Sequence, residues 1–433
     1  MSALPVHWIE TSIGMVVDVN PMPSMKPVDD QVPVSFVPMA ACEAETGRLD
    51  ASQTRTFGEL RRKSFRHFQD GDVLVAKITP SMENGKAALA KNLMGGQAFG
   101  STEFHVLRPS AQIDARFLLH YVLQRGFRAD AARQMTGTAG QLRVPADFLR
   151  QARLPLPPLD EQQQIVEVIE EQFSRLDAGA DCLQRAKRNL TRLRASLLSA
   201  AVEGRLIPSD ATSPPAVEEA TQIASDEAGV VVVPAGWSLV RLGSIASMSL
   251  GKMLDHKRQT GAHPVRYLRN VNVRWFGFDL SDLALMDVAP SEFERVSVQS
   301  GDLVVCEGGE PGRCAVWRGD PVAIQKALHR VRPVEGVLAE YLAIVLRWWV
   351  DRTEMERFIT GTTIKHVPKE KLRLLPIPLP PADEQGRIVA EVERQFSILD
   401  AMAKTIDAGL QRAGALRRSI LSQAFSGRLT GAA

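Results

Sequence analysis

The sequence is poor in cysteine, nearly neutral in net charge, and without a long apolar run. Its four cysteines are Cys42, Cys182, Cys306 and Cys314, and no two form a CxxC pair. That spacing argues against a disulfide framework and against a zinc site, and it suits a reducing compartment. The start, MSALPVHWIE, carries no basic-then-apolar leader pattern. The most apolar stretch, YLAIVLRWWV from Tyr341, is too short to cross a bilayer. The expectation is a soluble, cytoplasmic protein with no membrane partner. With a formal net charge of +2, no whole-chain attraction for a polyanion exists, so any such surface must come from local clustering.

Catalytic signatures are missing too. An N-methyltransferase needs a glycine-rich loop for its methyl donor and an (N/D/S)-P-P-(Y/F) tetrapeptide, which does not occur. A motor needs the phosphate-cradling GxxxxGK(S/T). Gly251-Lys252 comes nearest, with Ala246 for the first glycine and Met253 for the hydroxyl, and Gly85-Lys86 fails through Pro80 and Ala87. No acidic cluster followed by Glu-x-Lys marks a nuclease. The eight histidines are scattered, with no HxxxH and no Cys/His ligand group. The chain is expected to hold no metal and no cofactor and to perform no covalent chemistry.

What is present is a duplication. At 433 residues, 45% hydrophobic and 24% charged, the chain has ordinary globular composition and needs more than one core. LPLPPLDEQQQIVEVIEEQF, from Leu154, returns as LPPADEQGRIVAEVERQF from Leu379. With no gaps, Pro157 falls on Pro380 and Leu206 on Leu429, and about half of the paired residues are identical. Further landmarks repeat in the same order: Pro5, Trp8 and Gly14 with Pro234, Trp237 and Gly243; Gly71-Asp72 with Gly301-Asp302; Thr136-Gly137-Thr138 with Thr360-Gly361-Thr362. The chain is two units of one plan, each a globular part followed by a copy of the repeat.

Short apolar runs with Gly, Asn and Pro punctuation predict strands, among them Asp72–Ile78, His105–Leu107, Leu303–Cys306 and Ala315–Trp317. Helical patterns follow over Ala115–Gln134 and Ala339–Phe358, and then proline-rich exits. Each repeat reads as one long helix, with Asp160 or Asp383 as N-cap and Gly204 or Gly427 as stop. Ile169, Leu176, Leu183, Leu190 and Leu197 recur every seven residues. Val166, Phe173 and Ala180 adjoin them early, and Ala186, Leu193 and Ala200 later. The second copy has Val392, Leu399, Ile406, Ala413 and Ile420. A period near 3.5 is a coiled-coil seam, and about 45 residues give a rod on the order of 65 Å. One rod cannot bury its own stripe, so the copies are expected to pair antiparallel. Gly179, Gly409 and Gly414 mark places for a kink or a close approach. Pro208–Gly229 reads as the linker, with one short helix near Ala216–Ser225.

The doubled PPxxEQxxIV helix resembles the conserved regions of the DNA-specificity (S) subunit of type I restriction–modification systems. GSTEFHVLRP at Gly100–Pro109 and AIQKALHRVRP at Ala323–Pro333 resemble a recurrent segment of that family's target recognition domains, and PAGWSLVRLGSIA at Pro234–Ala246 resembles their start. The resemblance implies an α+β fold: two mixed α/β target recognition domains separated by two long antiparallel coiled-coil helices, a pseudo-two-fold internal repeat. The expected division is 1–156 and 233–378 for the recognition domains, 157–207 and 379–430 for the helices, and 208–232 for the linker. Each domain would read one half of a split site on double-stranded DNA. The helices would set the spacing and dock two methyltransferase (M) subunits, with motor–nuclease (R) subunits completing the complex. S-adenosylmethionine would bind the partner methyltransferase. The bland alternative is a protein–protein scaffold of the same fold without DNA readout. A third is an enzyme with an unrecognised site between the halves.

Sequence is read at base edges by polar and basic side chains, while phosphate contacts only position a protein. In the first domain the candidates are Lys77, Thr79, Ser81, Asn84 and Lys86, then Thr138, Gln141 and Arg143. In the second they are Lys252, Arg269, Asn270, Asn272 and Arg274, then Arg313, Lys326, Thr362 and Lys365. Gly85, Gly137 and Gly361 are assigned to turns, and Trp8, Trp237 and Trp348-Trp349 to packing. Glu161-Gln162 and Glu384-Gln385 are assigned to capping and polar contact at the rod's base rather than to catalysis. Arg185, Lys187, Arg188 and Arg192 are expected to lie on the exposed face of the first rod, available for docking.

Overall fold

The computed structural model describes residues 4–23, 28–138, 140–208, 216–217, 233–255, 261–361 and 365–429. The helix expected near Ala216–Ser225 and the candidate Thr362 lie outside the described residues, apart from Ala216 and Val217. The chain forms two compact units: residues 1–184 with 407–433, and residues 185–406. Each unit therefore draws on both copies of the long helix.

In unit one a four-stranded sheet runs in the order β2 (Val17–Val19), β9 (Phe104–Pro109), β6 (Val73–Ala76) and β7 (Ala87–Leu89). A second runs β4 (Thr54–Thr56), β3 (Pro33–Val37), β8 (Gln97–Gly100) and β5 (Arg66–Gln69), and β1 (Ile9–Ser12) pairs with β10 (Arg153–Leu156). Unit two repeats this order strand for strand. Its sheets are β12 (Ala246–Leu250), β21 (Leu328–Pro333), β18 (Leu303–Cys306) and β19 (Cys314–Val316), then β16 (Ala284–Asp287), β13 (Pro264–Leu268), β20 (Val322–Ile324) and β17 (Ser297–Val298). The terminal pair is β11 (Ser238–Arg241) with β22 (Pro376–Leu379), and a small hairpin, β14 (Val273–Arg274) with β15 (Gly277–Phe278), is added. The proline-rich exits are thus two-stranded edges, where missing N–H groups are tolerated. The carbonyls of Pro376 and Pro378 accept from Trp349 Nε1 at 3.0 Å and Tyr341 Oη at 2.6 Å.

The repeated Gly-Asp landmark has a structural cause. Asp72 and Asp302 are each 1% exposed. Asp72 accepts a two-pronged bond from Arg108 at 2.8 Å, and Asp302 one from Arg332 at 2.6 and 2.7 Å. Each also caps its own turn, from Gln69 N and Gln299 N. A buried carboxylate needs such satisfaction, and the planar guanidinium supplies it bidentately.

The long helices span Leu159–Val202 and Ala382–Ala424. Asp160 and Asp383 fall in the first turn rather than at the N-cap, where they still suit the positive helix end. The glutamines two residues further on, in both copies, do more. Gln162 and Gln385 are both 0% exposed. Gln162 accepts from Asp114 N and donates to the carbonyls of Gln112 and Pro157. Gln385 accepts from Leu338 N and donates to the carbonyls of Gly336 and Pro380. Each amide ties the helix base to the loop that enters the domain's own helix, Ala115–Val122 or Ala339–Asp351.

Within each unit the two helix copies run antiparallel. In unit one Leu183 packs against Gly409, while Asp177, nearer the N-terminus, meets Arg417, nearer the C-terminus. A Cβ at Gly409 would stand 2.9 Å from Leu183, so this glycine permits the close approach. Arg417 also lies over the Phe173 ring at 4.0 Å. Unit two carries the same triplet: Arg194 pairs with Asp400 and sits 5.3 Å from the Phe396 centroid. The core of unit one gathers Ile165, Val166, Ile169 and Phe173 from the first copy with Leu421, Ala424 and Phe425 from the second. That of unit two gathers Ile388 and Val392 with Leu198, Ala201 and Val202. Trp8, Trp237, Trp348 and Trp349 are all core.

The seam departs from a strict seven-residue repeat. Leu193 is 53% exposed, and Leu198 rather than Leu197 is the fully buried leucine near the end. A straight helix of 3.6 residues per turn drifts about 20° per heptad, and the last turn rotates to meet Trp237 and Tyr341 in the core of unit two. Gly204 and Gly427 end the helices in the left-handed region, at φ +67 and +69. Arg205 N then reaches back to Ala200 O, and Arg428 N to Gln423 O. A Cβ on Gly204 would lie 2.4 Å from Pro234, and on Gly427 2.3 Å from Pro5, so each stop seats the opening proline of a globular part. The expected single helices over Ala115–Gln134 and Ala339–Phe358 are each broken. The first divides at Leu123–Gln124, and the second stops at Asp351, with Thr353 at φ +62 before a 3₁₀ turn.

Two outcomes follow for stability. Gln162→Ala strands a buried N–H and two carbonyls and lowers unfolding free energy by about 3 kcal/mol in urea titrations. Gln163→Ala, on the exposed face one residue on, leaves it unchanged. The second concerns pH. Burial pushes His105 and His120 down to about 4. Both stay neutral in the folded chain while the unfolded chain takes up protons below about 6.5, so stability is complete above that pH and falls on acidification towards 4. Between pH 6.5 and 5 the unfolding free energy from urea titrations should drop, by up to about 1.4 kcal/mol per pH unit for each group. His120→Phe, which keeps a ring against Phe173, should make the drop shallower.

Candidate nucleic-acid interface

The central strand of each main sheet, β6 or β18, ends at a three-loop junction with the same hydrogen bonds in both units. In unit one the chain leaves β6 at Lys77. Lys77 N–H donates to Glu103 O at 2.9 Å, and Val144 N–H donates to Lys77 O at 2.8 Å. In unit two the chain leaves β18 at Glu307. Glu307 N–H donates to Ala327 O at 2.9 Å, and Val367 N–H donates to Glu307 O at 2.8 Å. A buried histidine fixes each junction from behind, His105 on Val144 O at 2.8 Å and His329 on Val367 O at 2.9 Å. In unit one Asn20 Nδ2 donates to His105 Nδ1, which leaves Nε2 as the donor. The repeated Thr-Gly-Thr loops close on themselves, Thr136 with Arg143 and Thr360 with His366, each through two backbone bonds. Gly137 and Gly361 have φ +128 and +91, which serves the turn, and Gly85 has +70.

The candidates of unit one gather on these loops. Lys77, Thr79 and Ser81 are half-buried, and Asn84, Thr138 and Gln141 are exposed. Thr79 N–H bonds Leu142 O at 3.0 Å, which joins the 77–86 loop to the 136–143 loop. Arg143 makes a fork with Glu103 at 2.9 and 3.0 Å. The hydrogen bond from Arg143 holds Glu103 below the usual carboxylate range, and Glu103 raises Arg143 in return. Partial burial, with Arg66 and Arg143 nearby, pushes the Lys77 ammonium down, against the pull of Glu103. Lys86 turns away, its Nζ on Met39 O at 3.0 Å.

In unit two Asn270, Arg313, Lys326 and Lys365 border the junction. Arg313 bonds Asn270 O at 2.9 Å and Glu310 at 2.8 Å, and Asn270 Nδ2 reaches Gly308 O at 3.5 Å. Lys326 is exposed, and its N–H bonds Lys252 O, which brings the two lysines into neighbouring positions. Lys252 Nζ pairs with Glu292 at 2.6 Å, and Lys365 with Glu356 at 3.0 Å. An exposed pair such as Lys365–Glu356 is worth little and can exchange for a phosphate, whereas the Lys252–Glu292 pair is half-buried. Three candidates are bonded within their own loop. Arg269 is tied to Asp282 and Arg274 to Asp279. Asn272 is 3% exposed, accepts from Arg269 N, and donates to the carbonyls of Asp279 and Asp282. It holds the loop's shape and has no route to a base edge.

Glu103 and Glu307 were absent from the sequence-based candidates. Glu307 had a signal: it follows Gly301-Asp302-LVVC as Lys77 follows Gly71-Asp72-VLVA. The rod's basic residues Arg185, Lys187, Arg188 and Arg192 are all exposed. No helix among the described residues is long and apolar enough to cross a membrane, and no group of His, Cys, Asp or Glu among them could hold a metal.

This architecture has counterparts. The chain matches the family model described as Type I restriction modification DNA specificity domain twice, over residues 8–181 and 234–412. It is 24% identical to the Type I restriction enzyme EcoEI specificity subunit of Escherichia coli, covering 94% of this chain and 81% of that one. It is 26% identical to the EcoAI specificity subunit of Escherichia coli, covering 90% and 77%. The fold is similar to that of a chain solved in work on complex assembly and conformational transition of the type I R-M system, with TM-score 0.77, 20% identity and coverage of 99% and 100%. It is also similar to the HsdS subunit from Thermoanaerobacter tengcongensis, with TM-score 0.59, 21% identity and coverage of 99% of each chain. Two matches over most of the chain, one on each copy of a duplicated fold, place this protein in the family of type I restriction–modification DNA specificity subunits.

Proposed function

We propose that this chain supplies sequence specificity to a type I restriction–modification complex, each recognition domain reading one half of a bipartite target in double-stranded DNA. The observation that carries the reading is the duplicated three-loop junction, whose backbone is held constant while its side chains differ. One plan used twice with different loops suits two different half-sites. A scaffold that only joined proteins would have no use for that divergence. The proposed base and phosphate contacts come from Lys77, Thr79, Ser81, Asn84, Thr138, Gln141 and Arg143, and from Lys252, Asn270, Arg313, Lys326 and Lys365, with Thr362 retained from the sequence. Arg and Lys suit guanine edges, and Asn and Gln suit adenine. The recognition domains take residues 1–156 and 233–378. The long helices, 157–207 and 379–430, act as the ruler between half-sites and offer their exposed faces to two methyltransferase subunits.

The chemistry belongs to those partners: S-adenosylmethionine binds the methyltransferase, and a target base must leave the stack to reach its pocket. Motor–nuclease subunits complete the restricting complex, and the setting is cytoplasmic. Co-expression with the partner methyltransferase, followed by methylome sequencing, is expected to reveal one split motif, and absence of any split motif contradicts the reading. In the assembled complex Lys326→Ala should weaken DNA binding equally across sequences and reduce the salt-dependence slope by about 1, as loss of one phosphate contact does.

A further inference from the structure

The residue that leaves the central strand occupies one backbone position in both units and carries opposite charge. Lys77 and Glu307 each donate the N–H to the turn before the neighbouring strand and each accept from the residue after the Thr-Gly-Thr loop, at matching distances of 2.9 and 2.8 Å. Both are half-buried. Among the described residues no hydrogen bond or ion pair holds either side-chain terminus, in a junction where Arg143, Arg313, Lys252 and Lys365 are all paired. The neighbours keep the contrast: Lys77 stands beside the Glu103–Arg143 fork, and the matching places in unit two hold Ala327 and His366.

An ammonium is purely a donor and an ionised carboxylate purely an acceptor. A carboxylate beside DNA is repelled by phosphates, so its use there is to accept from a base amino group, which the major groove offers at cytosine N4 and adenine N6. Lysine fits the O6 and N7 acceptors of guanine. Lys326 and Lys365, on the loops either side of Glu307, can hold phosphates while the carboxylate reads the base.

We infer that Lys77 and Glu307 are equivalent base-reading positions of opposite hydrogen-bond polarity, Lys77 selecting a guanine in the first half-site and Glu307 a base amino group in the second. The inference rests on the DNA-recognition reading above. Its test is methylome sequencing of cells that carry the full chain with its partner methyltransferase. Glu307→Lys should change one base pair of the second half-site to one that presents an acceptor, with roughly ten- to hundredfold less methylation of the original sequence and an unaltered first half. Lys77→Glu should do the reverse in the first half. Glu307→Gln, which keeps the shape and adds a donor, covers the case in which the lysine variant does not assemble, and should relax that same base pair. An unchanged motif, or changes in the other half or at several positions, overturns the inference and leaves the wild-type split motif standing. A wild-type complex with no split motif removes the reading beneath it.

Discussion

A long helix with one apolar stripe cannot bury that stripe alone, and every other feature of this fold depends on how the stripe is covered. Here it is covered by the other copy of the same helix, antiparallel, with the ends spent on recognition cores. The last turn of the first copy, Leu198, Ala201 and Val202, lies in the core with Trp237 and Tyr341. The last turn of the second, Leu421, Ala424 and Phe425, lies in the core with Phe117 and Trp8. Burying one such leucine or phenylalanine contributes about 1.5–3 kcal/mol, so neither recognition core is complete without residues from the other repeat. The triplets Arg194–Asp400–Phe396 and Arg417–Asp177–Phe173 fix the register of that exchange, each joining an arginine of one copy to an aspartate and a phenylalanine of the other.

Inside each recognition domain the same economy separates frame from content. The Asp72–Arg108 and Asp302–Arg332 forks and the bonds of the buried Gln162 and Gln385 are duplicated, as are the His105 and His329 bonds to Val144 and Val367. They bring three loops to one place in each unit. The side chains there are free to differ, and they do, down to a reversal of charge. A reader of two unlike half-sites needs this arrangement: specificity can change without disturbing the fold.

The duplication was the most legible part of the chain, because identical packing demands preserved identical residues. Proline exits, glycine stops and the Gly-Asp landmark were readable for the same reason, although the carboxylate's buried partner was not. Local period misled where tertiary packing took over. Leu193 fits a heptad and faces solvent, since a straight helix drifts off a seven-residue seam and the recognition core claims Leu198 instead. Asn272 had the right chemistry for adenine and is consumed in shaping its own loop. Whether a polar residue reaches outward depends on hydrogen bonds made across loops, which spacing along the chain does not encode. Glu307 is hard to read from sequence because an acidic side chain does not suggest a DNA-facing position, even though the repeat aligns it with Lys77.

On the proposed function, the paired helices set the spacing between the two half-sites. One heptad inserted after Gln184 and another before Asp407 lengthens both helices while keeping their pairing. At about 1.5 Å per residue, and about 3.4 Å per base pair, the account predicts a methylated motif with the same bases and a gap longer by about 3 base pairs. A gap that stays fixed in an assembled, active complex would contradict it.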